Sequence, residues 1–461
     1  MDNDRLVPTH WCNILCDFPE LYQASMFDPA KKNKTSVPLG NRLPKQPLSL
    51  LKQSHNLNDD SILIPEEIRR NYQVYRPTPF KRAHNLERSL DCKTEIYYKY
   101  EGANIAGSHK LNTAIAQVYY YKNAGIQHIV TGTGAGQWGT AIAYACKLFG
   151  LKCTVFMVKV SLQQKPMRKT LMELYGATVY ESPSQETSLG QRIRKEDPNS
   201  HGSLAIATGE AIELISKTEN AQFAVGSGEN SVLLHQTVIG NEVLNQMDEL
   251  NIFPDKVYAC VGAGSNFCGI SFPLLRYAQY HKKTCDFIAV EPVACPKLTR
   301  GIYALDVNDF SGMTTFSKMY TLGSSYMAPP IHAGGLRYHG TSEFLSALYD
   351  KDMIKACAVS EKASLAAGIL FAENEGILPA PESAYAIAAA IADINKNKNL
   401  NSKIVINISG HGLFDLNSYE LYKNNMLSND IPDEHNIESS IEVLKKLNAK
   451  QTKDVLTRAS V

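Results

Sequence analysis

The chain has 461 residues, 44% apolar and 20% charged, with 47 Lys plus Arg against 46 Asp plus Glu. That length holds a large buried core and two or three domain equivalents, and a net charge of +1 gives bulk electrostatics no means of recruiting nucleic acid or a membrane. No run of about 18 apolar residues predicts a spanning helix, and ten scattered cysteines, only Cys12 and Cys16 standing close together, predict reduced, mostly buried thiols and no metal site.

The opening stretch MDNDRLVPTHWCNILCDFPE carries acidic residues and no apolar run, unlike a signal or transit peptide, so a cytoplasmic protein is expected. Residues 1–75, rich in Pro, Asn and Lys, predict an irregular extension. From there the chain repeats one scheme: a short apolar run, a glycine-bearing turn, an amphipathic segment. QHIVTGTGAGQWGTAIAYACKLFG (127–150) is one instance; KCTVFMVKVSLQQKPMRKTLMELYGATVY (152–180) is the next, its helix closing at Gly176. DKVYACVGAGSNFCGISFPLLRYAQY (255–280) repeats it, CDFIAVEP (285–292) reads as a buried strand, and SKIVINISGHG (402–412) as a late one.

Strands alternating with helices predict an α/β fold of two three-layer domains with mostly parallel sheets. The expected boundaries are 76–228 for the first domain and 229–416 for the second, with the segment about 76–108 open to crossing into the second. NKNKNLNSK (395–403) predicts a polar loop, and the tail, 417–461, holds one amphipathic helix over 437–450.

Ligands of open α/β sheets bind beyond the carboxyl ends of the strands, where this chain places its glycine turns. In VGAGSNFCGI (261–270), residues Gly262, Ala263, Gly264, Ser265 and Asn266 open a helix, a turn whose N–H groups converge on an anion. The Walker lysine and the full dinucleotide fingerprint are absent, so a monophosphate fits better than a nucleotide. Thr133, Gly134, Ala135, Gly136 and Gln137 form a second such turn, suited to a carboxylate. Taken singly, the first turn reads equally as plain β–α connection chemistry, and the second more often reads so. With Lys110 at a strand-to-helix junction and Ser409 at a late strand end, the four make the set needed to hold pyridoxal 5'-phosphate: a lysine for the aldehyde, Gly-Ser-Asn for the phosphate, a hydroxyl for the ring nitrogen.

The ordered segments YRPTPFKRAHNLE (75–87), GSHKLNTA (107–114), TGAGQWG (133–139), LLHQTVIGNE (233–242), CVGAGSNF (260–267), PPIHAGGLRYHG (329–340), EGILPAPESAYA (375–386) and SGHGLFDL (409–416) resemble the tryptophan synthase β family, in its second, longer-N-terminus subgroup, among the fold-type-II pyridoxal phosphate enzymes. The resemblance implies that Lys110 binds the cofactor aldehyde and shuttles protons. It places His109 near the cofactor phosphate, Asn112 near its phenolic oxygen, Glu375 near the ring and Ser409 on the pyridine nitrogen, with residues 262–266 around the phosphate and 133–137 on the substrate carboxylate. A neutral serine does not enforce ring protonation, which favours β-elimination through an aminoacrylate over transamination. A homodimer and a supporting monovalent cation are implied as well. Members of this subgroup generally pair weakly with the α subunit, so that complex is not expected.

One departure bears on chemistry. The family turn reads Glu-Thr-Gly-Ala-Gly-Gln; here Gly132 stands where the glutamate belongs. That carboxylate is the acid–base group that helps serine lose its hydroxyl, and such a group contributes about 10²–10⁴ in rate. Ile105, Ala263, ATGEA (207–211) and Tyr385 depart around the same cleft, and Tyr385, Trp138 and Glu210 stand as candidate replacements. The expected function is a pyridoxal-phosphate-dependent lyase acting by β-elimination or β-replacement on serine or an activated serine. The alternatives are a dehydratase or deaminase, and a weakly catalytic cofactor-binding regulatory homologue. Restoring glutamate at 132 is expected to restore tryptophan synthesis if the remaining machinery is sound.

Overall fold

The computed structural model describes residues 6–25, 46–307, 316–428 and 430–459. In chain order, β1 (His10–Cys12) pairs antiparallel with β2 (Ser61–Leu63). β3 (Phe80–Arg82) and β4 (Glu95–Tyr100) precede β5 (His128–Thr133), β6 (Lys152–Val158), β7 (Thr178–Ser182) and β8 (Ala221–Phe223). There follow β9 (Lys256–Cys260), β10 (Asp286–Pro292), the antiparallel pair β11 (Ile302–Asp306) and β12 (Ser317–Thr321), then β13 (Lys355–Val359) and β14 (Lys403–Ile408).

One sheet has the order β7-β6-β5-β8 and is all parallel. The other has the order β13-β10-β9-β14-β4-β3, parallel except for β3 at its edge. The stretch 76–108 therefore supplies two strands of the second sheet before the chain enters the first.

Both sheets are covered on both faces, which is why their strands read as nearly unbroken apolar runs. The period of two sorts the side chains. Ile129, Val155 and Met157 face the Gln137–Phe149 helix through Ile142 and Cys146. Val130, Phe156 and Val158 face the Leu204–Ser216 helix through Ala207, Ala211 and Ile212. In the second sheet, Val257, Ala259 and Phe287 pack with Phe267, Ile270 and Leu274 of the Ser265–Tyr280 helix. Tyr258, Ile288, Ile404 and Ile406 pack with Tyr385, Ala386 and Ile387 of the Pro381–Lys396 helix.

The extension expected to be irregular contains regular elements where it is described. Fully buried Trp11 packs at a tilt with its ring centroid 4.6 Å from that of His235, Cys12 N–H donates to Thr237 Oγ1 at 2.8 Å, and Ile68 and Tyr72 of the Glu66–Gln73 helix join the main core. A polar, proline-rich sequence becomes ordered because a few large apolar residues dock onto the body. At the other end a helix runs Glu434–Ala459; Ile437 packs with Leu322 and Tyr326, and Asn448 exchanges hydrogen bonds of 3.0 and 2.9 Å with the Leu305 backbone of β11. Among the described residues no helix is long and apolar enough to cross a membrane.

Candidate active site

Val261 extends β9 by donating its N–H to Val290 O at 2.8 Å; the chain then turns through Gly264, at φ +125°, into the Ser265–Tyr280 helix. A side chain at that φ is strained, so glycine is required. Among the described residues the N–H groups of Gly262, Ala263, Gly264 and Ser265 enter no hydrogen bond with the protein. Four donors left unmet at a helix N-terminus form an anion cup. Its wall holds Ser265 Oγ, which meets His109 Nε2 at 3.1 Å and accepts from Ser227 Oγ at 3.2 Å.

His109 ties this cup to the strand end carrying Ser409. Its backbone N–H donates to Ser409 O at 2.8 Å, and burial together with neighbouring Lys110 holds its imidazole well below the usual histidine range. The ring thus bridges the cup, through Ser265 Oγ, and the strand end that carries Ser409. Ser409 Oγ lies 2.8 Å from Ser383 Oγ and 3.7 Å from Cys260 Sγ.

Lys110 opens the Lys110–Asn123 helix and sends Nζ to Gly226 O at 3.2 Å. Burial lowers its pKa from 10.5 to about 8, against the raising influence of Glu382. An amine so placed is available as a nucleophile near neutrality.

The second turn places Gly136, at φ +86°, before the Gln137–Phe149 helix, with Gly139 N–H donating to Thr133 Oγ1 at 3.2 Å. Facing it is the segment Gly334–Leu336. A Cβ on Gly134 would stand 3.1 Å from Gly334 O, and one on Gly262 would stand 2.4 Å from Gly335 O. The two glycine turns thus close on one segment, and Glu382 fastens it: its carboxylate accepts from Gln137 Nε2 at 3.0 Å and from Gly335 N–H at 2.9 Å.

The structure brings together Lys110, His109, the cup at 262–265, Ser409 and the turn 133–137. It moves three expected residues elsewhere. Asn112 lies two residues past Lys110, a spacing that does not share a helix face. Its side chain is spent on Tyr75 Oη at 2.9 Å, Arg76 Nη2 at 3.2 Å and Gln236 Oε1 at 3.0 Å, leaving no role at a phenolic oxygen. Glu375 caps the His84–Leu90 helix, accepting from Asn85 N–H at 3.0 Å and Leu86 N–H at 2.9 Å. Glu382 is the carboxylate that reaches the cleft. Both glutamates lie in EGILPAPES, and only Pro381, which starts a helix and puts Glu382 in its first turn, could have separated them. The Asn266 side chain braces the strands, with Nδ2 on Cys260 O at 3.1 Å and Oδ1 accepting from Asn407 Nδ2 at 2.8 Å.

None of the three candidate replacements for the missing acid serves. Glu210 accepts from Ser184 N–H and Oγ at 2.8 and 2.6 Å and from Thr187 Oγ1 at 2.7 Å, pinning a loop. Tyr385 lies in the core behind the second sheet. Trp138 Nε1 donates to Thr131 Oγ1 at 2.8 Å.

Gly132 shares the face of Val130, so a Cβ there would meet the Leu204–Ser216 helix backbone, at 2.9 Å from both Ala207 C and Thr208 N. The space belongs to main chain, and a glutamate needs the helix to move. Gly132→Glu is therefore expected to lower stability by about 1–3 kcal/mol without restoring tryptophan synthesis, read from the urea midpoint and from serine-plus-indole turnover. An unchanged midpoint would contradict the close packing.

The unmet donors of the cup, the depressed lysine and the serine hydroxyl fit pyridoxal phosphate, and the comparisons agree. A family model described as pyridoxal-phosphate dependent enzyme matches residues 72–410, so the chain belongs to that class of enzymes. Within it, the chain is 48% identical over 434 residues to tryptophan synthase beta chain 2 of Pyrococcus abyssi, covering 93% of this chain and 97% of that one. It is 46% identical over 420 residues to the corresponding protein of Thermotoga maritima, covering 90% and 97%. It belongs to the tryptophan synthase beta chain family. Among solved structures it is similar to threonine deaminase isoform 2 of Solanum lycopersicum, with TM-score 0.58, 18% identity and coverage of 77% and 90%. It is also similar to an L-serine ammonia-lyase of Rhizomucor miehei, with TM-score 0.54, 18% identity and coverage of 76% and 98%. These two likenesses support the fold.

Proposed function

We propose that the protein carries out β-elimination and β-replacement on a serine derivative whose leaving group departs without a proton, O-phosphoserine being the best matched. The observation that carries this is the closure of position 132 by helix backbone, which leaves that position unable to supply an acid, while Glu382, the carboxylate at the Thr133–Gln137 turn, is held by Gln137 and Gly335.

Bound pyridoxal phosphate supplies an electron sink for loss of the substrate Cα proton and of the β-substituent. The cup at 262–265 holds the phosphate, and the backbone N–H groups of the turn orient the substrate carboxylate. Lys110, with its pKa near 8, takes and returns the Cα proton. Glu382 is committed to Gln137 and Gly335, so it orients the turn and is not free to protonate a departing hydroxide.

Cations, in contrast, gather behind the turn. Arg168, fully buried, has none of its guanidinium nitrogens in a hydrogen bond but pairs with the buried Asp415 carboxylate at 3.6 Å, which Lys165 also meets; a Cβ on Gly136 would stand 2.8 Å from its Cδ. Arg337 Nη2 donates to Ser161 Oγ at 2.5 Å and would stand 3.0 Å from a Cβ on Gly334.

The test is tryptophan formation from indole with either donor, followed chromatographically. O-phosphoserine is expected to exceed L-serine in kcat/KM by about 10²-fold or more, the scale of one missing general acid. Equal or better use of plain serine overturns the proposal. Pyruvate release without indole measures how far water competes as acceptor.

A further inference from the structure

The phosphate cup has its own carbonyl oxygens, and most are already taken. Cys260 O accepts from Asn266 Nδ2 at 3.1 Å, Ala263 O from Ser342 N–H at 2.7 Å and Gly264 O from Cys268 N–H at 2.9 Å. Val261 O accepts from a side chain remote in sequence, Lys297 Nζ, at 2.9 Å. Lys297 is fully buried, and its opposite charge is Glu291 at the end of β10, whose carboxylate is fixed by Leu298 N–H at 2.9 Å, Thr299 N–H at 2.8 Å and Thr299 Oγ1 at 2.7 Å. The loop from 291 to 299 therefore seats a fixed ammonium against the peptide that begins the cup.

That contact has a direction. In a trans peptide the C=O and N–H point opposite ways, so a cation on Val261 O polarises the same unit and strengthens the Gly262 N–H on its far side as a donor. Coordination by such carbonyls is also how a monovalent cation would act on the cup, and the sequence resemblance implies one.

We infer that Lys297 is a positioning residue serving as a built-in cation for the phosphate cup, and that this chain works without a bound monovalent cation. The inference rests on the cup holding the cofactor phosphate. The holoenzyme is assayed in potassium, sodium, caesium and ammonium salts, and in tetramethylammonium, which is too bulky for a buried carbonyl site. Cofactor affinity, read from visible absorption, is expected to vary by less than about twofold across the series. Lys297→Ala is expected to bind cofactor about tenfold more weakly in tetramethylammonium, the worth of one charge-assisted contact, and to be rescued by ammonium or potassium.

Melting of the cofactor-free proteins in the same salts is a second readout: potassium is expected to raise the midpoint of Lys297→Ala and leave the parent unchanged. A parent protein that needs potassium overturns the inference, as does a folded variant indifferent to salt; if the variant does not fold, the parent series decides alone. Cofactor that binds in no salt overturns the reading of the cup instead, and the melting shifts then still decide the role of Lys297.

Discussion

Lys110→Met is expected to leave a folded protein whose turnover falls by about 10²–10⁴-fold or more, the contribution of a positioned proton-transfer group. Borohydride reduction should fix cofactor to the parent chain at residue 110 and leave the variant unlabelled, as mass spectrometry would show. The fold should survive because Lys110 gives up one hydrogen bond, to Gly226 O at 3.2 Å, and methionine matches its length. Burial even predicts a gain without cofactor. The folded pKa of about 8 lies below the ordinary 10.5, so between these values the unfolded chain binds more protons than the folded one. Parent stability should therefore rise with pH across that window. Below pH 8 the full cost of burying the charge is present, so cofactor-free Lys110→Met should be the more stable protein at neutral pH, with the gap closing from pH 8 to 10.5. A gap that widens over that window would contradict the assignment, as would a variant that retains activity.

What the sequence made legible was local. A glycine turn between an apolar run and a helix announces itself within ten residues, and both turns lie where strands β5 and β9 end. Lys110 and Ser409 stand out only in combination with those turns: taken singly, one reads as a solvated lysine and the other as a turn cap. The misses are all matters of direction or distance. Asn112 is close to Lys110 in sequence and on another face of the helix. Glu375 and Glu382 share a motif, and only the helix start at Pro381 aims the second into the cleft. The loss of glutamate at 132 was visible as a substitution, but the approach of Ala207 and Thr208 to that position is a contact across 75 residues of chain that no local pattern encodes. Trp11 illustrates the same limit: it is buried against His235, and its neighbour Cys12 bonds Thr237, in a stretch of sequence that gives no sign of a partner near the N-terminus.

Arg76→Met is expected to cost about 3–5 kcal/mol, the scale of breaking a buried ion pair by removing one partner. The guanidinium is fully buried and binds Glu101 Oε2 at 2.7 Å, Glu242, and Asn112 Oδ1 at 3.2 Å. Thr78 supplies N–H to Glu242 Oε1 at 2.7 Å and its hydroxyl to Glu101 Oε1 at 2.6 Å. Lys99 Nζ lies 3.5 Å from Glu242 Oε1 and donates to Thr78 O and Gln246 Oε1, both at 2.8 Å. Two buried carboxylates thus face two buried cations, and methionine in place of Arg76 strands one negative charge. The lost midpoint in urea should be partly recovered by adding Glu101→Gln, which removes the stranded charge; two additive penalties would mean that the pair is not coupled. The consequence reaches the chemistry through Asn112, on the helix that Lys110 begins. Arg76 enters with the β3–β4 segment of the second sheet and Glu242 sits on the Val238–Leu250 helix, so the cluster fixes the Lys110 helix against the domain that carries the cup. Arg76→Met that remains folded should show weaker cofactor binding than parent in the same urea-free buffer. Unaltered affinity would confine the cluster to stability alone.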